Sequence, residues 1–327
     1  MHERENALKV WIEKIINHKD FVLTPLTGDA SFRRYFRLQY QGVTQIVMDA
    51  PPEKEDIEPF IFIDETLEHY NVLTPLIIAA DKKQGFLILS DFGDQIFLNH
   101  LNPETADKFY KDAIKTLLKI QECPITIPSL PAFDKAFMLK EMNLCIEWFF
   151  NAYLSLTLKK SETQLIQKTM HWIADELLKQ PIVFIHRDYH SRNLMLVDNA
   201  VDFSVGVIDF QDAMSGPLTY DLVSLLKDCY ISWPKEKTIE WLAYFHAQTP
   251  LARSSYTFPD FTKAFDICGL QRHLKVLGVF SRLYLRDDKP GYLKDLPLTL
   301  KYVLECTKNY EELHPFYKFL QKRVCLP

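Results

Sequence analysis

Between residues 181 and 221 the chain reads PIVFIHRDYHSRNLMLVDNAVDFSVGVIDFQDAMSGPLTYD, and three of its oxygen-bearing side chains have types and spacing suited to one chemistry: Asp188, Asn193 five residues on, and Asp209. Phosphoryl transfer from a magnesium nucleotide needs a carboxylate that orients an acceptor hydroxyl and takes its proton, together with hard oxygen ligands for the metal. Asp188 is the expected catalytic residue. Asn193 and Asp209 are the expected magnesium ligands, bringing positive charge to the terminal phosphates where negative charge must be neutralised.

Such groups must be held by rigid backbone. Residues 182–185 form a short apolar, β-branched run that delivers His186, Arg187 and Asp188 to a strand end. Residues 194–197 and 205–208 are two more apolar runs, separated by the turn-forming pair Asp198 and Asn199, and the second stops at Asp209.

HRDYHSRN resembles the H-R-D-x-x-x-x-N catalytic loop of the protein-kinase-like superfamily, and Asp209-Phe210-Gln211 resembles its D-F-G metal segment. His190 inside the loop, Gln211 after Asp-Phe, and the downstream PLTYD are similar to the aminoglycoside phosphotransferase branch. No Ala-Pro-Glu follows, and only eight residues lead from Asp209 to Pro217, which leaves no room for an activation loop of protein-kinase type. The resemblance implies an α+β, bilobal protein-kinase-like fold. Its small β-rich nucleotide-binding lobe would span residues 1–92 including the hinge, and its mainly helical catalytic and substrate-binding lobe residues 93–327. ATP is the implied co-substrate, with Mg2+.

Composition agrees with a globular, helix-rich chain: 327 residues, 47% apolar, 25% charged and only 9 glycines. Lys plus Arg number 38 against 43 for Asp plus Glu, a net charge of −5, so there is no electrostatic footprint for nucleic acid. Six cysteines lie scattered without C-x-x-C pairing, which fits free thiols in a reducing cytoplasm. The N-terminal MHERENALKVW lacks the apolar core of a secretion signal. No run of about 18 uncharged apolar residues occurs, so no membrane partner is expected.

In chain order, Leu8, Trp11, Ile12, Ile15 and Ile16 recur at helical spacing and predict a helix near 4–18. FVLTPL, RRYFRLQY and TQIVMDA then read as three strands, with Gln41-Gly42 as the turn between the last two. TGDASFRR joins the first two. Taken alone it is an ordinary hairpin turn. Ahead of a kinase-like loop it becomes a small-residue cradle for phosphate oxygens, giving Gly28, Ser31, Phe32, Arg33 and Arg34 as nucleotide-binding candidates.

The third strand lacks the lysine that the resemblance calls for. Arg33, Arg34, Arg37 and Lys54 are candidates for the missing cation, with Glu65 or Glu68 on a helix over 57–70 as its acidic partner. Residues 76–80 and 86–90 predict two further strands. The Asp91-Phe92-Gly93 that follows is a decoy, because it precedes the catalytic loop; it fits the hinge, where the backbone of Leu89, Ser90 and Asp91 would meet an adenine edge. Helices are expected over 105–121, 133–154, 162–178, 218–229, 235–248 and 258–286, with two more between 296 and 322.

LTGDASFRRYFRL, VMDAPPEKEDIEPF, LKEMNLCIEWFF and LQRHLKVLGVFSRL are similar to the cell-wall-recycling sugar kinases within the aminoglycoside phosphotransferase group, over nearly the whole chain. That family accepts Met-Asp where others carry the strand lysine. The resemblance implies ATP-dependent phosphorylation of the anomeric (C1) hydroxyl of N-acetylmuramate or N-acetylglucosamine in peptidoglycan recycling.

For the acceptor, Glu147 and Trp148 are either a sugar clamp or a snorkelling acid beside a core indole. Arg272 and His273 meet the acceptor's carboxylate or acetamide, or pair with Asp266 or Asp288. His190 and Gln211 complete the substrate set. Two other readings stand beside this one: a kinase of the same fold for an aminoglycoside, choline or homoserine-like alcohol, and a catalytically silent scaffold. The first would want an acid-lined C-terminal pocket, whereas residues 300–327 carry Lys301, Lys308, Lys318, Lys322 and Arg323 against Glu305, Glu311 and Glu312.

Overall fold

The computed structural model describes residues 2–26, 32–126, 130–198 and 203–326; Gly28 and Ser31 lie outside them. The chain divides into two compact units, residues 1–100 with 193–212, and residues 101–192 with 213–327.

The first unit is built on an antiparallel sheet. Strands β1 (Val22–Leu26), β2 (Arg34–Tyr40), β3 (Val43–Asp49), β4 (Ile77–Asp81) and β5 (Phe86–Ser90) take the order β1-β2-β3-β5-β4. β2 turns into β3 at Gln41 (φ 47°) and Gly42 (φ 79°); two consecutive left-handed residues make the tight hairpin whose twist matches its strands. Helix α1 (His2–Ile16) lays Leu8, Trp11 and Ile12 on Leu38, Val47, Phe86 and Ile88, and this is the unit's main core. Ile15, predicted for the same face, is exposed.

Helix α2 (Glu58–His69) follows the double proline and buries Phe60, Ile61, Ile63 and Leu67. The hairpin of β7 (Leu194–Asp198) and β8 (Phe203–Val207) completes this unit. It is tied in by Val207 N–H to Leu73 O (2.8 Å) and Leu196 N–H to Gln95 O (2.8 Å).

The second unit is mainly helical: α3 (Ala106–Glu122), α4 (Lys135–Leu144), α5 (Lys160–Leu177), α6 (Tyr220–Leu226), α7 (Lys235–Gln248), α8 (Pro250–Ser255), α9 (Phe258–Leu285), α10 (Leu296–Asn309) and α11 (His314–Arg323). A two-stranded ribbon, β6 (Ile182–Ile185) with β9 (Met214–Pro217), lies among them. The periodicity that predicts one helix over 133–154 is broken. α4 gives way to a π-helical stretch at Cys145–Tyr153, and the junction lies against Gly278 of α9. A Cβ at Gly278 would overlap the backbone of Leu144 and Cys145, so the two helices touch main chain to main chain there. α6 is also shorter than its apolar pattern, because the chain leaves the helix at Lys227 to aim Asp228 at the catalytic loop.

Candidate active site

In the second unit β6 ends at the catalytic loop, and two buried carboxylates fix that loop's ends. Asp221 accepts from the N–H of His186 (2.6 Å) and of Arg187 (2.9 Å). Asp228 accepts from Ser191 through both its N–H (3.0 Å) and its hydroxyl, and from the Tyr230 N–H (3.0 Å). Tyr189 is buried between them and donates to Ala113 O (2.9 Å). Arg187 sits in the left-handed region (φ 76°), a strain that these bonds hold in place.

The Asp188 side chain keeps 36% of its surface, and its Oδ1 lies 3.4 Å from Arg272 and 3.9 Å from Lys275, both on α9. Burial alone would push this carboxyl up; Lys275, Arg272, His190 and Arg187 together overcome it and hold the group well below the usual carboxylate range. Behind it Glu141 of α4 meets Arg187 (3.1 Å), Lys275 (3.3 Å) and the Gln271 amide (3.1 Å). Cations and acids thus alternate around Asp188. Glu141 and Lys275 do not stand out in the sequence. Both interrupt apolar helical runs, as Glu147 and Arg272 do, and only the packing of α4 on α9 brings the two together.

In the first unit the pairing of Leu194 with Val207 sets Asn193 beside Ile208, so residues fifteen apart in sequence meet at one end of a hairpin. The Asn193 amide N–H donates to Asp209 Oδ2 (3.2 Å), and the Gln211 amide N–H donates to Asp209 Oδ1 (2.8 Å). Asp209 is left-handed (φ 63°), and Phe210 behind it packs on Phe60 of α2 at 4.8 Å. A carboxylate beside an amide, whose oxygen is left as its acceptor, offers a hard oxygen donor set. Magnesium, which keeps waters and takes further oxygens from phosphates, suits it.

The arginines expected to grip phosphate divide by partner. Arg34 is bound with Arg4 on the fully buried Asp49, the residue that stands where the strand lysine was sought. Arg37 clasps Asp91 (2.7 Å) and Asp94 (2.8 Å). Arg33 pairs with Glu55 (3.0 Å) beside Tyr35, whose hydroxyl is pushed up to about 12 by burial, with Arg33, Asp209 and Glu55 around it. Lys54 lies over the exposed ring of Phe32 at 4.6 Å.

Glu65 and Glu68 are exposed and are not the cation's partner. The buried acid of α2 is Asp64, bonded to Thr74, its carboxyl pushed up to about 6 by burial. Leu89 is paired on both sides within the sheet, and the Ser90 N–H donates to Leu76 O at 2.9 Å. Asp91-Phe92-Gly93 is structural here: Asp91 holds Arg37 and the Gly93 N–H, and the Phe92 ring lies against Gly206.

Of the acceptor candidates, Glu147 is exposed and Trp148 half-buried on the π-helical stretch, and His190 meets Tyr230 edge-on at 5.3 Å. Gln211 is bonded to Asp209. Arg272 and His273 require correction, because both are core residues. Arg272 is committed to Arg187 O (2.9 Å) and Asp188, while Asp266 is taken by Lys227 (2.7 Å). His273 bonds Lys227 O (2.9 Å), stacks on Tyr302, and is driven down to about 3 by burial, so it stays neutral.

A five-stranded antiparallel sheet, followed by an HRD loop pinned from a helical unit and a D-F hairpin carrying adjacent Asn and Asp, is the construction of the protein-kinase-like phosphotransferases. Residues 22–255 match the profile described as the phosphotransferase enzyme family, and the chain belongs to that family. It is 40% identical to the N-acetylmuramate/N-acetylglucosamine kinase of Pseudomonas putida, over 95% of this chain and 94% of that protein. To the protein of the same name from Neisseria meningitidis it is 37% identical, over 98% and 96%. Choline kinase LicA from Streptococcus pneumoniae shares the fold with a TM-score of 0.64 at 13% identity, over 93% of this chain and 99% of that one.

Proposed function

We propose that this enzyme transfers the terminal phosphoryl group of ATP to the C1 hydroxyl of N-acetylmuramate or N-acetylglucosamine, in the cytoplasm, as a step of peptidoglycan recycling. The observation that carries the reading is Asp188. It is partly exposed, held ionised by two α9 cations, and set on a loop pinned at both ends, in a chain about 40% identical to kinases of that name.

Asp188 orients the anomeric hydroxyl and accepts its proton as the bond to phosphorus forms; that hydroxyl is more acidic than an ordinary alcohol, so orientation supplies much of the effect. Arg272 and Lys275 keep the carboxylate charged and restrict its rotamer. Asn193 and Asp209 would hold magnesium, and Gln211 and the left-handed turn fix Asp209 for it. Bound there, the ion supplies charge neutralisation at the phosphates. Arg33, paired with Glu55 and electrostatically linked through Tyr35 to Asp209, takes the role of the absent strand lysine. Gly28, Ser31 and Phe32 line the phosphates, the Leu89 to Asp91 segment the adenine, and Glu147, Trp148 and His190 the sugar.

The test is a magnesium-ATP assay with N-acetylmuramate, N-acetylglucosamine, kanamycin and choline in parallel, with phosphorus NMR on the product and Asp188→Asn as control. A sugar 1-phosphate made by wild type and lost in the variant is expected. Turnover of kanamycin or choline alone would overturn the substrate assignment.

A further inference from the structure

One arginine of the catalytic loop has no acidic partner among the described residues. Arg187 is paired with Glu141 and Arg272 with Asp188, but Arg192 makes no ion pair among the described residues. Its guanidinium instead lies over the Tyr230 ring, 3.7 Å from the centroid. Stacking fixes the plane of the fork and leaves its N–H edge, the edge that matches a carboxylate, pointing off the ring. Tyr230 is itself braced, by His190 edge-on at 5.3 Å and by Phe280 at 6.2 Å, and Phe280 packs on Tyr292 at 5.0 Å.

Asp295, three residues past Tyr292, is 9% exposed, and its Oδ2 is buried with no hydrogen-bond donor. Burial pushes its carboxyl up, and Arg192 is foremost among the cations that oppose this. The two groups therefore feel each other without forming an ion pair. The neighbouring Asp228 shows the contrast: both its oxygens are taken by Ser191 and the Tyr230 N–H, so it is an anchor. Asp295 has a lone pair buried and unanswered, which costs free energy unless a donor arrives.

We propose that Arg192 and Asp295 form a two-part acceptor subsite, in which the Arg192 edge takes the carboxylate of an acidic N-acyl amino sugar and Asp295 Oδ2 accepts from a hydroxyl or amide N–H of the same sugar. This rests on the sugar-kinase reading above and makes Arg192 a specificity residue within it. A neutral sugar leaves the Arg192 fork in water at little cost, so it is accepted but less favoured, whereas the Asp295 contact serves both sugars.

The experiment compares kcat/KM for N-acetylmuramate, its methyl ester and N-acetylglucosamine in wild type, Arg192→Gln and Asp295→Asn. Wild type should prefer the free acid to the ester by about tenfold or more, a comparison that stands even if a variant fails to fold. Arg192→Gln should lose about 10- to 100-fold on the acid and little on the ester or N-acetylglucosamine, while Asp295→Asn should lose about tenfold on all three. Equal losses on all three acceptors in Arg192→Gln, or no preference of wild type for acid over ester, would overturn the assignment. Failure of wild type to phosphorylate either sugar would instead refute the sugar-kinase reading, and the subsite with it.

Discussion

Asp49 in the first unit and Asp188 in the second each face two cations, at different distances and exposures. Asp49 is fully buried, with Arg4 at 2.7 Å on one oxygen and Arg34 at 3.0 Å on the other. Asp188 keeps a third of its surface, and Arg272 and Lys275 approach the same oxygen at 3.4 and 3.9 Å. The first arrangement occupies both oxygens and suits an anchor that ties α1 and β2 to β3. The second fixes charge and direction but leaves the carboxylate in reach of a third party. Distance and exposure together, and not the presence of cations, separate the proposed catalytic aspartate from the structural one.

Breaking each side of the comparison should give opposite outcomes. Asp188→Asn should lower kcat by about a thousandfold, in the range for loss of a general base, with a smaller loss of stability than Asp49→Ala. Equal loss of stability would make Asp188 a second anchor. Asp49→Ala should cost about 2–4 kcal/mol of stability by leaving two arginines without their buried counterion, while the surviving folded protein keeps its kcat. Denaturant unfolding beside active-site-normalised turnover separates the two.

The pH dependence sharpens the contrast through a third carboxylate. Asp221 is pushed up to about 6 by burial, although His186 and the two loop amides oppose it, whereas Asp188 lies well below the ordinary range. Protonating Asp221 weakens its two bonds to the loop, so kcat/KM should fall about tenfold per pH unit below about 6. Stability should not follow. A native carboxyl raised above its unfolded value binds its proton first, so acidification from about 6 to about 4 favours the folded state through Asp221. Asp188, depressed in the fold, withdraws stability only as pH falls below the ordinary carboxylate value near 4. Circular dichroism should stay native while activity declines; unfolding in step with the rate would contradict this. The smallest effect is expected from Lys275→Met, which removes the foremost of the opposing cations and should move the Asp188 carboxyl upward, as read by carboxyl carbon NMR.

Local pattern could nominate the candidate site because its parts are close in sequence. Asp188 and Asn193 are five residues apart, and two short apolar runs read as paired strands, the hairpin that brings Asp209 to Asn193. The missing strand lysine was equally plain, but its replacement was not. Arg34 and Arg37 point to opposite faces of β2, and which anion each meets depends on strand order and register: Arg34 lies opposite Asp49, and Arg37 reaches the chain after β5. Arg33 pairs with Glu55 from the loop before α2 and Lys54 lies over Phe32, so strand register narrows the candidates to these two. Glu65 and Glu68 were reasonable from helical spacing and wrong in orientation, since α2 turns them to solvent.

What the sequence determined by itself was the reaction class and nearly every strand and helix, and it named candidates for the catalytic and metal-binding side chains, because hydrogen-bonded periodicity and loop spacing act over a few residues. Only the tertiary structure decided which charges are buried anchors and which keep part of their surface exposed. Arg272, Lys275, Glu141, Asp228 and Asp295 are ordinary polar interruptions of their local patterns. Their roles come from contacts between segments far apart in the chain, where a burial cost that no local pattern records is offset or left open by the partner that packing brings.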